Sequence, residues 1–212
     1  VCGMSHFASA GKDTAVRVYD VRTMSLVCTL GEADAEMRRY NGSRGVAVGH
    51  TSRVFSLKFA SADAPHTLLS AGWDSSVRVW DVRAGEAVLT IPKAHVCGDT
   101  LDVSGDTDVL VGAFSHTQPL RVYDLRTAAL ATVAPWDVCK LYAAQFSDEA
   151  LGLAVAGGVG AKAGESGEVR VFRQMANGRL ATIGCAPMPR GAYSLSVTSG
   201  GAPDGGCRVA VA

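Results

Sequence analysis

One phrase recurs four times along this chain and constrains its fold more than any other feature. It reads Ala15-Val16-Arg17-Val18-Tyr19-Asp20, then Ser76-Val77-Arg78-Val79-Trp80-Asp81, then Pro119-Leu120-Arg121-Val122-Tyr123-Asp124, and last Glu168-Val169-Arg170-Val171-Phe172-Arg173. The aromatic anchors Tyr19, Trp80, Tyr123 and Phe172 are 61, 43 and 49 residues apart. Apolar alternation with period two is a strand signal. A repeat of a few tens of residues predicts stacked units, each unable to bury its faces alone.

Each phrase stands third in the same order of four short strands. The clearest unit has strands at 53–59, 66–72, 76–81 and 86–91, with turns at 60–65, 73–75 and 83–85. The next has strands at 99–104, 109–115, 120–124 and 130–134, and the one after at 141–147, 151–157, 168–173 and 179–185. The ends are partial: 7–11, 15–20 and 26–30 supply three strands, and 193–199 and 208–212 supply two. These are short runs of β-formers bounded by Gly, Pro, Asp and Ser. The units therefore span about 1–30 (partial), 49–91, 95–134, 139–185 and 191–212 (partial), within one segment 1–212. An odd total of seventeen strands, in a chain opening on Val1, predicts a piece of something larger. A helical period is confined to 32–40, where Ala33, Met37 and Tyr40 share a face.

The strand order and the third-strand phrase resemble the WD-repeat (WD40) β-propeller family over essentially the whole chain. The strongest match runs from Gly49-His50 to Trp80-Asp81. The resemblance implies an all-β propeller with three complete and two partial four-stranded antiparallel blades, part of a larger ring. It also implies a hydrogen-bonded tetrad of His50, Ser70, Asp74 and Trp80. That chemistry is sensible, because a buried indole N–H needs an acceptor and His can bridge Ser to Asp. Blade one keeps Ser9 and Asp13 at matching offsets, with Tyr19 for Trp. Blade three keeps His95 but has Ala113 at the Ser position and Thr117 at the Asp position. Blade four has Phe172-Arg173 for Trp-Asp.

Function is expected to be non-enzymatic, a scaffold for protein–protein interaction within a multiprotein assembly. Lys plus Arg and Asp plus Glu number 20 each, so the zero net charge argues against nucleic acid or an anionic membrane as general partner. No apolar run reaches the roughly 18 residues of a spanning helix. Cys2, Cys28, Cys97, Cys139, Cys185 and Cys207 contain no C-x-x-C pair, and the expectation is free thiols in a reducing compartment. No metal, cofactor or catalytic residue is expected. Ser70, His50 and Asp74 mimic a triad, but Ser70 lies in an apolar strand and no G-x-S-x-G elbow exists. The run Gly157-Gly158-Val159-Gly160-Ala161-Lys162-Ala163-Gly164 lacks the ending of a phosphate loop and is read as a flexible turn.

Partners are expected to be other proteins, with the chain a subunit of a larger complex. The long link 31–48 mixes Met37, Arg38, Arg39, Tyr40 and Arg44, residue types enriched at interfaces, and is the first candidate contact surface. A second insertion is read at 159–166. Recurrent Arg17, Arg78, Arg121 and Arg170 are expected to pack their stems between blades, with an acidic partner as the alternative. Trp80-Asp81-Val82-Arg83 is similar to the W-D-x-R motif of substrate receptors of cullin-4 ubiquitin ligases, which makes Arg83 a further candidate. Residues 49–99 also resemble WD-repeat proteins of protist and ciliary assemblies. The expected location is cytoplasmic, with cytoskeletal or ciliary association as a variant.

Overall fold

The computed structural model describes residues 5–31, 49–61, 64, 66–105, 107–137, 139–147, 152–160, 166–198 and 208–212. The described residues form strands and connections without a helix. The helical expectation at 32–40 lies outside them, as do Cys2 and Cys207.

Among the described residues, seventeen strands build five antiparallel sheets. The first sheet is β1 (His6–Ala10), β2 (Val16–Asp20) and β3 (Leu26–Leu30), and the second is β4 (Val54–Phe59), β5 (Thr67–Gly72), β6 (Ser76–Asp81) and β7 (Glu86–Pro92). The third is β8 (Leu101–Ser104), β9 (Asp108–Gly112), β10 (Leu120–Asp124) and β11 (Leu130–Val133). The fourth is β12 (Cys139–Phe146), β13 (Leu153–Gly160), β14 (Gly167–Gln174) and β15 (Leu180–Met188). A pair, β16 (Leu195–Thr198) and β17 (Arg208–Val211), follows. Within each sheet the strands lie in chain order, so every connection is a hairpin.

The chain divides into two compact units, Val1–His95 and Val96–Ala212. In the first, Val16, Val18 and Leu30 pack against Val54, Leu68, Trp80 and Val82. In the second, Leu110, Leu120 and Val122 of the third sheet meet Leu141, Ala144 and Phe172 of the fourth around Trp136. Val155, Val169 and Ala192 form a smaller cluster, with Leu195 and Val197 packed on it.

Two irregularities recur. Pairing of the third and fourth strands slips just before the aromatic anchor in all four blades, at Val18/Tyr19, Val79/Trp80, Val122/Tyr123 and Val171/Phe172. Pairing of the first and second strands slips at Val54/Ser56 and at Leu141/Ala143, which leaves Phe55 and Tyr142 as the extra residues of β-bulges.

The fourth blade departs from the sequence reading. The Gly-rich run predicted to be a turn is strand as far as Gly160, so the insertion begins later than 159, and 161–165 lie outside the described residues. The reason is close packing of backbone. A Cβ on Gly158 would strike the Lys140 carbonyl, and one on Gly157 would strike Ala192. Glycine marks close backbone approach here, not a loop.

Candidate functional site

The second blade's hairpin builds a polar cluster inside an apolar sheet. Ser70 of β5 lies opposite Arg78 of β6, and Leu68 lies opposite Trp80, so all four side chains share one face. The three-residue turn Trp73-Asp74-Ser75 returns Asp74 over the strand ends. His50 enters from the segment before β4. Trp80 Nε1–H donates to Ser70 Oγ at 2.7 Å, and Ser70 Oγ lies 2.6 Å from His50 Nε2. His50 Nδ1 lies 2.8 Å from Asp74 Oδ2, which also accepts from the Thr51 backbone N–H at 3.1 Å. Asp74 Oδ1 accepts from the Ser76 hydroxyl and backbone N–H.

Only one proton arrangement satisfies every group. Ser70 accepts from the indole and donates to Nε2, so the network assigns the neutral His50 tautomer with its proton on Nδ1, given to Asp74. Ser70 and Trp80 have no exposed surface, and the Asp74 side chain is 4% exposed. Burial alone would raise the Asp74 carboxyl. Hydrogen bonds from His50, Ser76 and Thr51 outweigh it and hold the pKa at about 2. Burial lowers the Arg78 pKa, while the Asp74 charge opposes that shift. The Ser–His–Asp distances mimic a hydrolytic triad. However, a nucleophile must reach a substrate, and Ser70 Oγ is enclosed beneath an indole that uses its lone pair. The cluster ties three chain segments together.

The other blades treat these positions differently. In blade one, Asp13 pairs with Arg17 at 2.7 Å, and Phe7 stacks on Tyr19 with centroids 4.9 Å apart. In blade three, the assignment of Ala113 to the Ser position needs correction. Val111 lies opposite Arg121, as Ser70 does opposite Arg78, because the β9–β10 hairpin is two residues longer. Thr117 therefore belongs to a local turn with Ser115, and His95 meets Ser75 Oγ of the second blade at 3.3 Å.

Blade four holds a polar group that the sequence reading missed. Trp136, from the link before β12, donates its indole N–H to Glu168 Oε2 at 3.2 Å. Arg170 pairs with Glu168 at 2.9 Å and lies over the Trp136 ring, 5.1 Å from its centroid. Trp136 in turn packs on Phe172. A lone Trp between Pro135 and Asp137 carries no sequence signal for a partner thirty-two residues away. Buried Asp102, which accepts from the Phe146 backbone N–H at 2.8 Å, was likewise unread.

The recurrent arginines have no common fate. Arg17 and Arg170 pair with carboxylates of their own blade, Arg78 is buried, and Arg121 donates to the Gln118 carbonyl. The D-x-R turns are capped by their aspartates. Asp20, Asp81 and Asp124 accept from the backbone N–H of Arg22, Arg83 and Arg126. Arg83 is exposed and pairs with Asp81 at 3.3 Å. Met37, Arg38, Arg39, Tyr40 and Arg44 lie outside the described residues. Among the described residues, Cys28 and Cys185 are free thiols, Cys28 half-buried and Cys185 exposed.

A family model, the WD domain, G-beta repeat (WD40), matches residues 43–81. The chain is 38% identical over 82 residues to a ribosome biogenesis protein WDR12 homolog of Arabidopsis thaliana, covering 37% of this chain and 17% of that protein. Among solved structures, a chain of a mitotic checkpoint complex superposes with TM-score 0.71 at 14% identity, covering 98% of this chain and 61% of that one. The WD40 β-propeller domain of Doa1 superposes with TM-score 0.66 at 17% identity, covering 97% and 60%. The chain thus spans a small part of its curated relative and rather more than half of the structural neighbours. With the repeat model matched on the blade that carries the Trp80 cluster, and with propellers matching nearly end to end, the chain carries a WD40 repeat at residues 43–81 and has the fold of a WD40 β-propeller.

Proposed function

We propose that this chain is a non-enzymatic scaffold that holds other proteins in a multiprotein assembly. The observation that carries this reading is the sealed Ser70–His50–Asp74–Trp80 cluster. The one group of side chains in the second blade with the makings of a reactive site is spent on rigidity. A blade so tied presents its turns on a fixed support, which reduces the ordering cost of binding. The likeness to a chain of a mitotic checkpoint complex fits such a role. Free thiols at Cys28 and Cys185 fit a reducing, intracellular setting, and cytoplasmic residence is part of the proposal. The test is affinity purification of the full chain with quantitative identification of what co-purifies. Recovery of a stoichiometric set of proteins supports the reading, and recovery of none overturns it. Deletion of 32–43 with a short Gly linker asks whether the link carries that contact.

Exposed Arg83, beside Trp80-Asp81, favours a second reading as substrate receptor of a cullin-4-type ligase. Arg83→Glu should then abolish adaptor binding without unfolding the blade. An unchanged interactome in that variant removes the ligase reading and leaves the scaffold.

A further inference from the structure

We propose that His6 and His66 form a two-histidine site for a divalent first-row transition-metal ion of the nickel, copper or zinc kind, between the first and second sheets. The proposal goes beyond the scaffold reading and does not depend on it. The two residues are far apart in the chain and show no ligand spacing. The fold brings their rings to 6.4 Å between centroids, with the planes inclined at 57°. Two imidazoles that share one ion at about 2.0–2.1 Å have centroids about 5–6.5 Å apart. The pair therefore sits at the wide end of that span. Both side chains are half-buried and not locked in the core, so a small rotation about their side-chain bonds narrows the gap.

Both rings stand on fixed backbone. His6 opens β1 and pairs in register with Asp20. His66 precedes β5, and its carbonyl accepts from Val82 N–H at 2.8 Å, as the Ser5 carbonyl accepts from Val21 N–H at 3.0 Å. His66 thus holds the place in its blade that Ser5 holds in the first, and His6 lies one residue further along. The ring nitrogens are available. Ser5 Oγ lies 2.8 Å from His6 Nδ1, so Nδ1–H can donate to the hydroxyl and leave the Nε2 lone pair for a metal. Metal-bound imidazoles use such a partner to fix their tautomer. With the described residues, the His66 ring makes no hydrogen bond.

The donor set selects the ion. Imidazole nitrogen suits nickel, copper and zinc, whereas magnesium and calcium take oxygen ligands. Among the described residues, His6 and His66 are the histidine pair whose rings meet, while His50 is spent on Ser70 and Asp74, and His95 meets Ser75. No third His, Cys, Asp or Glu among the described residues completes the set, so water fills the remaining positions. Affinity then rests on the chelate. Once one imidazole holds the ion, the fold presents the second at a high effective concentration. One ligand comes from each sheet, so a bound ion ties the first sheet to the second.

The test titrates the full chain with nickel chloride by calorimetry, with magnesium chloride as control. Saturable binding of nickel is expected, and none of magnesium at the same concentration. His6→Gln and His66→Gln should each weaken nickel binding about tenfold or more, because a single imidazole loses the chelate. His116→Gln, which alters an exposed histidine of another blade, should bind as the parent chain does. Nickel should raise the thermal midpoint of the parent chain and leave that of either His6→Gln or His66→Gln unmoved. In the parent chain, the ring-proton NMR signals of His6 and His66 should broaden first as nickel is added, a readout that holds even where a Gln variant misfolds. Gln variants at positions 6 and 66 that bind as the parent does, equal binding of magnesium, earlier broadening at His95 or His116, or no saturable binding would each overturn the proposal.

Discussion

Ser70→Ala isolates what the second blade's cluster contributes. The hydroxyl accepts from Trp80 Nε1–H at 2.7 Å and serves His50 Nε2 at 2.6 Å, so its loss orphans a donor and an acceptor together. All three side chains have no exposed surface. A hydroxyl is smaller than a water molecule's share of liquid, about 30 Å³, so solvent cannot replace it without repacking. Each orphaned buried group costs about 1–3 kcal/mol, and the two together should cost about 2–5 kcal/mol. The assay is urea unfolding followed by far-UV circular dichroism, with Trp80→Phe and the double variant completing a cycle. A coupling of about 1–2 kcal/mol between positions 70 and 80 is expected, because Phe removes the same N–H that Ala leaves stranded. A loss below about 0.5 kcal/mol for Ser70→Ala, or no coupling, would refute the claim that these groups depend on one another.

Acid should act on the same cluster. Asp74 is held at about 2 against an ordinary 3.8, so its contribution is complete above the unfolded-state value and is lost as pH falls through about 2. The shift is worth at most about 2.5 kcal/mol, and Asp74→Asn should flatten that part of a stability–pH profile. In the second unit, Trp136→Ala should cost about 3–5 kcal/mol by emptying the space against Phe172, measured by the same unfolding assay. Gly72→Ala should destabilise by more than about 2 kcal/mol, since its Cβ would meet the Arg53 carbonyl; a neutral result would mean the β4–β5 approach is looser than described. Under native conditions, exposed Cys185 should react with a thiol reagent at once and buried Cys139 only on unfolding, as a timed titration would show.

The sequence alone determined what depends on neighbours along the chain. Val16–Asp20, Ser76–Asp81 and Leu120–Asp124 alternate with period two and end at Asp turns, so strand type and the four-strand order were legible. The resemblance brought His50, Ser70, Asp74 and Trp80 together on paper because a three-residue hairpin fixes their offsets, and the structure places them within hydrogen-bond reach. Tertiary structure decided the rest. Two added residues between β9 and β10 shifted Val111 into the place read for Ala113, because register follows hairpin length and not distance from an anchor. Gly157 and Gly158 looked like a loop, yet close backbone neighbours make them strand. Trp136 with Glu168, and Arg53 with Trp73, are contacts between separate segments; no local spacing encodes them, since folding of the whole blade brings those side chains together.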